Sequence, residues 1–119
     1  MAGHSDSLKR LMREVLKFRD AREWKQFHNF KDLAITLCLE SAELLEHTQW
    51  KSERELEKYL KTHKDEVADE LSDVLHMVLL LAEHAQIDLP KAFARKMKEN
   101  EAKYPVHKAK GSAKKYTDL

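Results

Sequence analysis

Apolar residues recur at helical spacing along most of the chain. Leu8, Leu11, Met12, Val15, Leu16 and Phe18 predict a first amphipathic helix running to about Arg22, with Ser5 or Ser7 as its cap. The stretch from Leu33 to Glu46, LAITLCLESAELLE, predicts a second. Residues three and four apart share a helix face, so Leu33, Leu37, Glu40 and Leu44 form one stripe. Ser52 and Glu55 fit a capping box ahead of a short helix or helical loop from Glu53 to Leu60. Thr62 and Asp65 offer a cap for a long helix, DEVADELSDVLHMVLLLAEHA, ending near Gln86. On it Glu66, Glu70, Asp73, Met77, Leu80, Leu81 and His84 share a stripe, acidic at first and mostly apolar later. Asp88 then caps a last helix with Pro90 in its first turn. That helix passes Phe93, Met97 and Asn100 to Lys103, and Pro105 stops it. The remainder, 106–119, carries four lysines and predicts an irregular, exposed basic tail. Strand-like alternation, repeats and low-complexity blocks are absent. The pattern predicts one all-α domain over residues 1–119, a four-helix bundle with a short extra helix.

Carboxylates interrupt the apolar stripes. Glu40 lies in a leucine seam, with Glu43 three residues on and one step round the same side. An unpaired buried carboxylate costs several kcal/mol or takes up a proton, so Glu40 requires a cation. Packing the two stripes together brings Glu40, Glu43, Glu70 and Asp73 into one cluster. The motif is E-x-x-E, a 26-residue gap, then E-x-x-D. Four oxygen donors with no necessary histidine or cysteine suit a hard cation such as Mg²⁺. Cations so held bridge phosphate oxygens and lower the pKa of an attacking water. Glu66 and Asp69 read more simply as a solvated helix start, where acids suit the macrodipole.

Between the first two helices, Trp24, Phe27, His28 and Phe30 crowd into seven residues, and Asn29 with Asp32 resembles a capping box. The rings form either a plug over the bundle end or a pocket for a flat ligand, with His28 or Gln26 as a polar contact. Net charge is +1, which gives no field directed at nucleic acid. The single cysteine, Cys38, excludes an internal disulfide and reads as a small core residue, in keeping with a reducing cytoplasm. No signal-like region opens the chain and no apolar run nears the ~20 residues of a membrane span. Two rivals to a phosphate-handling metal site stand. A di-iron carboxylate bundle wants two Glu-x-x-His motifs, which only Asp73-x-x-His76 approximates. A non-catalytic helical interaction module would keep the bundle without the chemistry.

Glu40-x-x-Glu43 with Glu70-x-x-Asp73 resembles the MazG-like all-α nucleoside triphosphate pyrophosphohydrolases, and more narrowly their dCTP pyrophosphatase branch. The matching runs are REWKQFH (22–28), ESAELLEHTQWK (40–51), DELSDVL (69–75), IDLPKAFARKM (87–97), Asn100, KYP (103–105) and KYTDL (115–119). The resemblance implies hydrolysis of a (deoxy)nucleoside triphosphate, dCTP first among them, to the monophosphate and pyrophosphate. It implies Glu40, Glu43, Glu70 and Asp73 as catalytic metal ligands for Mg²⁺, with Mn²⁺ able to substitute. Base and sugar contacts would come from Trp24, Lys25, Gln26, Phe27, His28 and Trp50. Met77 stands where the family suggests a tyrosine near the substrate, which leaves base preference open. Lys96, Asn100 and Tyr104 would help hold the nucleotide. Apart from the resemblance, Glu46, one turn past Glu43, reads either as the group that orients the water or as an exposed helix acid. The family assembles as dimers or as tetramers built from dimers, so a homodimer or homotetramer is expected.

Overall fold

A computed structural model describes residues 2–119, with side chains from Ser7 onward. Helix α1 spans Ala2–Ala21, α2 Phe30–Glu46, α3 Glu53–Thr62, α4 Lys64–His84, α5 Leu89–Lys103 and α6 Val106–Ala109. Short 3-10 turns occupy Trp24–Phe27 and Tyr116–Asp118, and no strand occurs among the described residues. No helix among them is long and apolar enough to cross a membrane.

Three of the helix starts follow directly from local side-chain chemistry. Asn29 has an extended backbone, its Oδ1 accepts from the Asp32 N–H at 2.9 Å, and its Nδ2 donates to Asp32 Oδ2 at 2.7 Å. Ser52 Oγ accepts from the Glu55 N–H at 3.2 Å and donates to Glu55 Oε1 at 3.1 Å. Asp88 Oδ1 accepts from the Lys91 N–H at 3.2 Å, with Pro90 in the first turn of α5. Each satisfies N–H groups that the helix itself leaves free.

Other expectations are corrected. Ser7 lies inside α1, which begins at Ala2, so it does not cap that helix; the side chain of Ser5 falls outside those described. Thr62 does not cap α4. It is the last residue of α3, and its hydroxyl donates back to the carbonyls of Lys58 and Tyr59 at 3.3 and 3.2 Å. Only His63 separates α3 from α4, too short a joint for an extended N-cap residue. Helix α4 ends at His84, and Gln86 turns the chain in the left-handed region at φ +55°. The tail is not wholly irregular: it holds α6 and a final 3-10 turn. There the Tyr116 ring meets Tyr104 edge-on at 5.9 Å and lies under Lys103 Nζ at 4.9 Å.

The chain divides into two compact units, Met1–Gln86 and Ile87–Leu119. In the first, α2 packs along α4, and α1 and α3 pack on α4. Leu33 of α2 and Met77 and Leu80 of α4 form the buried centre, flanked by Val15, Leu16, Leu37 and Leu81. The leucine seam expected on α2 is therefore its inward face, and that seam carries Glu40 against α4. Cys38 is exposed, contrary to its reading as a core residue, because it lies on the opposite side of α2 with Ile35 and Leu39. The second unit comprises α5, α6 and the last 3-10 turn.

Candidate active site

Helix packing delivers the acid cluster. One carboxylate oxygen from each of Glu40, Glu43 and Glu70 lies within 4.8 Å of the others. Glu40 and Glu70 are half-buried and Glu43 is exposed. Glu40 Oε2 and Glu70 Oε2 are buried without a hydrogen-bond partner. Burial first, then the charges of Glu43 and Asp73, a hydrogen bond with Glu43 and the charge of Glu70, push the Glu40 carboxyl above its ordinary range. Asp73 is thus near enough to act on Glu40, and both line one cavity, but Asp73 stands outside the tightest trio. These residues fit a divalent cation. Glu40, Glu43 and Glu70 would hold the ion through oxygen donors, the ligand type that hard cations such as Mg²⁺ take. A cation would satisfy both orphaned oxygens and remove the repulsion on Glu40. No histidine belongs to the cluster among the described residues, and His76 instead packs edge-on against the Phe18 ring at 5.9 Å. A two-histidine di-iron site is therefore not what these helices build.

Beside the acids opens a cavity of about 660 Å³, between α1 and α4. Glu40, Asp73 and Ser72 line it on one side, and Leu11, Val15, Phe18, Trp24 and Met77 on another. A second cavity of about 300 Å³ shares Phe18, Trp24, His76 and Met77 and adds Arg19, Phe27, His28, Asp32 and Thr36. Trp24 rests edge-on against Phe18 at 5.7 Å, so the 3-10 turn docks on α1 through these rings. His28 Nδ1 is buried without a partner. Burial first, then the charges of Arg19, His76 and His84, hold the His28 imidazole below its usual value, so it is neutral near pH 7.

The expected base contacts fare differently from one another. Trp24, Phe27, His28 and Met77 come together around these cavities, and Met77 is buried there. Lys25 and Gln26 are exposed; the Gln26 amide donates to the Glu23 carbonyl at 2.9 Å. Trp50 lines neither cavity. It stands 92% exposed just past α2, with backbone in the left-handed region at φ +64°. Glu46 is exposed. Lys96, Asn100 and Tyr104 belong to the second unit. There Lys96 Nζ pairs with Glu99 at 3.2 Å, and the Asn100 carbonyl accepts from the Tyr104 N–H at 2.9 Å.

Residues 35–119 match the MazG-like family. The chain belongs to the MazG-like family. The rat protein named dCTP pyrophosphatase 1 is 42% identical over 115 residues, spanning 95% of this chain and 68% of that protein. The human protein of the same name is 36% identical over the same coverage. Among solved structures, a pyrophosphatase from Archaeoglobus fulgidus superposes with a TM-score of 0.79 at 41% identity, covering 83% of this chain and 93% of that one. The family read from the paired E-x-x-E and E-x-x-D motifs is thereby shown, as is an all-α fold of MazG-like type.

Several side chains of this MazG-like site escaped the sequence reading. Phe18 and Val15 were indistinguishable from core residues, since the periodicity of α1 marks an apolar face without saying that part of it faces a cavity. His47 carried a usable signal. It follows Glu40 and Glu43 by seven and four residues, so it continues their face one turn further. In the structure His47 Nε2 lies 3.5 Å from Glu70 Oε1.

Proposed function

We propose that this chain is a Mg²⁺-dependent nucleoside triphosphate pyrophosphohydrolase that converts dCTP and water to dCMP and pyrophosphate. The enzyme class, a pyrophosphatase, follows from the family. The observation that carries the metal reading is the trio of Glu40, Glu43 and Glu70, with two buried oxygens lacking partners, at the wall of the larger cavity. The metal when bound would supply charge neutralisation on the phosphate oxygens and a lowered pKa for the attacking water.

The protein's own groups do the rest. Glu40, Glu43, Glu70 and Asp73 would hold the cation, which would supply charge to the triphosphate end. Phe18, Trp24, Phe27 and Met77 offer apolar surface to a flat base and keep water from it. Neutral His28 offers one ring nitrogen for a hydrogen bond to a base edge. Lys96, Asn100 and Tyr104 are assigned to the nucleotide by the resemblance. No serine, cysteine or lysine nucleophile is required, since water attacks one phosphorus, the bridge between the α- and β-phosphates breaks, and dCMP and pyrophosphate are released. The active form is a homodimer or homotetramer, in which Trp50 is covered by substrate or by a second copy.

The test is a panel of dNTPs and NTPs incubated with the full chain and Mg²⁺, with products resolved by ion-exchange chromatography. Monophosphate and pyrophosphate in equal amounts, fastest from dCTP and abolished by a chelator, are expected. Orthophosphate with the diphosphate, or no turnover with any nucleotide, would refute the reading. On the same panel Trp50→Ala and His28→Ala should raise KM more than they lower kcat. A lost stacking contact worth ~1–3 kcal/mol corresponds to about 5- to 150-fold in KM. Large losses of melting temperature with unchanged KM and base preference would make these rings core instead.

A further inference from the structure

Glu70 is held from behind. His47, the residue that closes α2, places Nε2 3.5 Å from Glu70 Oε1 and Nδ1 in hydrogen-bond contact with the Tyr59 hydroxyl of α3. Both His47 and Glu70 are largely shielded from solvent, with side-chain exposures of 17% and 21%. Tyr59 is itself fixed: its ring stacks on His63 at 4.0 Å with the planes 8° apart, and Lys51 Nζ lies 4.3 Å from its centre. Three helices, α2, α3 and α4, thus meet in one line of side chains ending on a carboxylate of the acid cluster.

Donor and acceptor bookkeeping sets the direction of this line. A carboxylate oxygen accepts, so the ring nitrogen that faces Glu70 with a hydrogen is Nε2. Nδ1 and the Tyr59 hydroxyl share the hydrogen bond on the other side of the ring, which fixes the ring plane. The arrangement engages Glu70 Oε1 and leaves Oε2, which is buried and has no partner. A ring nitrogen facing Oε1 favours this orientation of the carboxylate, and the other oxygen remains for a cation.

We propose that His47, oriented by Tyr59, is a positioning residue that fixes Glu70 for metal binding; this rests on the reading of Glu70 as a metal ligand. His47 touches neither substrate nor cation and acts only through Glu70. Partners of this kind typically change metal affinity 10- to 100-fold when lost.

The experiment titrates the full-length protein with Mn²⁺ alone, counting free ion by electron paramagnetic resonance. His47→Leu should weaken the affinity 10- to 100-fold, while His47→Gln, whose amide can still donate near the Nε2 position, should recover most of it. Tyr59→Phe keeps the stacked ring and loses the hydroxyl. It should weaken Mn²⁺ several-fold in the wild-type background and add nothing in His47→Leu. Circular dichroism melts check that each variant is folded, and His47→Gln gives a second reading should His47→Leu fail to fold. Unchanged or tighter Mn²⁺ binding in His47→Leu, or no recovery in His47→Gln, would overturn the proposal. Glu70→Gln separates the two readings. If it binds Mn²⁺ like wild type, the assignment of Glu70 falls; if it loses Mn²⁺ while His47→Leu retains it, only the role of His47 falls.

Discussion

Glu40 is a carboxylate kept in a leucine seam, and its raised pKa fixes the sign of a measurable effect. A carboxyl whose folded pKa lies above its unfolded value holds its proton longer in the folded protein. Its penalty is absent below about pH 4.3, the unfolded value, and complete above the folded pKa. Without metal, therefore, Glu40 withdraws stability as pH rises through that window, and Glu40→Gln should relieve it. The expected result in a chelator is a melting temperature for Glu40→Gln that equals wild type near pH 4, rises above it as pH passes through the raised pKa, and then keeps a constant lead. Added Mg²⁺ should reverse the order, because the cation binds the ionised cluster and stabilises only the wild type. Turnover by Glu40→Gln should fall on the order of 1000-fold, ~4 kcal/mol of barrier. Near-wild-type turnover, or a melting difference flat with pH, would remove Glu40 from the metal site.

The helices show what a sequence can and cannot reveal. Starts set by one side chain and the backbone three residues on were legible: Asn29, Ser52 and Asp88 cap α2, α3 and α5 as read. Thr62 failed because its hydroxyl could serve either the end of α3 or the start of α4, and the single-residue joint decides that. The acid pairs were legible because i, i+3 spacing places them on one face before any packing is known. The burial of α2 was only half legible. Its sequence carries one apolar stripe through Leu33 and Leu37 and another through Ile35, Leu39 and Leu45. Periodicity does not say which faces α4, and the misassigned Cys38 lies on the exposed one. The line from Tyr59 through His47 to Glu70 was not legible, since it joins three helices. Helix α2 carries two of the acids, but its cap lies about three turns before them. Asn29→Ala should cost ~1 kcal/mol, read as a lower urea midpoint with unchanged m, and leave the Mg²⁺ affinity within about twofold. A loss of Mg²⁺ binding larger than the loss of stability would mean that the start of α2 shapes the site directly.

At the scale of the whole molecule, the single chain leaves too much apolar surface in water. Among the described residues the buried apolar side chains are Leu33, Met77, Leu79, Leu80 and Ala82, all on α2 and α4. The same two helices expose Leu45 at 68%, Leu39 at 59%, Leu71 at 53% and Ile35 at 50%. These are not scattered single residues. They give α2 and α4 apolar side chains away from the face already used, which is surface suited to an interface. A second copy would supply matching surface under two-fold symmetry, where each contact occurs twice. Burying a leucine is worth about 1.5–3 kcal/mol in full, and a symmetric pair contributes twice. Light scattering at micromolar concentration should therefore give two or four times the chain mass of 14.0 kDa. The melting temperature should rise with protein concentration, as it must when folding and association are linked. Leu39→Asp puts a charge on the exposed face of α2 without touching Leu33, Glu40 or the cavities. It should shift the particle toward 14.0 kDa and abolish the concentration dependence. If contacts between copies also complete the substrate site, as the uncovered Trp50 suggests, the KM for nucleotide should rise in the same variant. A wild-type particle of 14.0 kDa, with a melting temperature independent of concentration, would leave the second apolar face of α2 and α4 to some other partner.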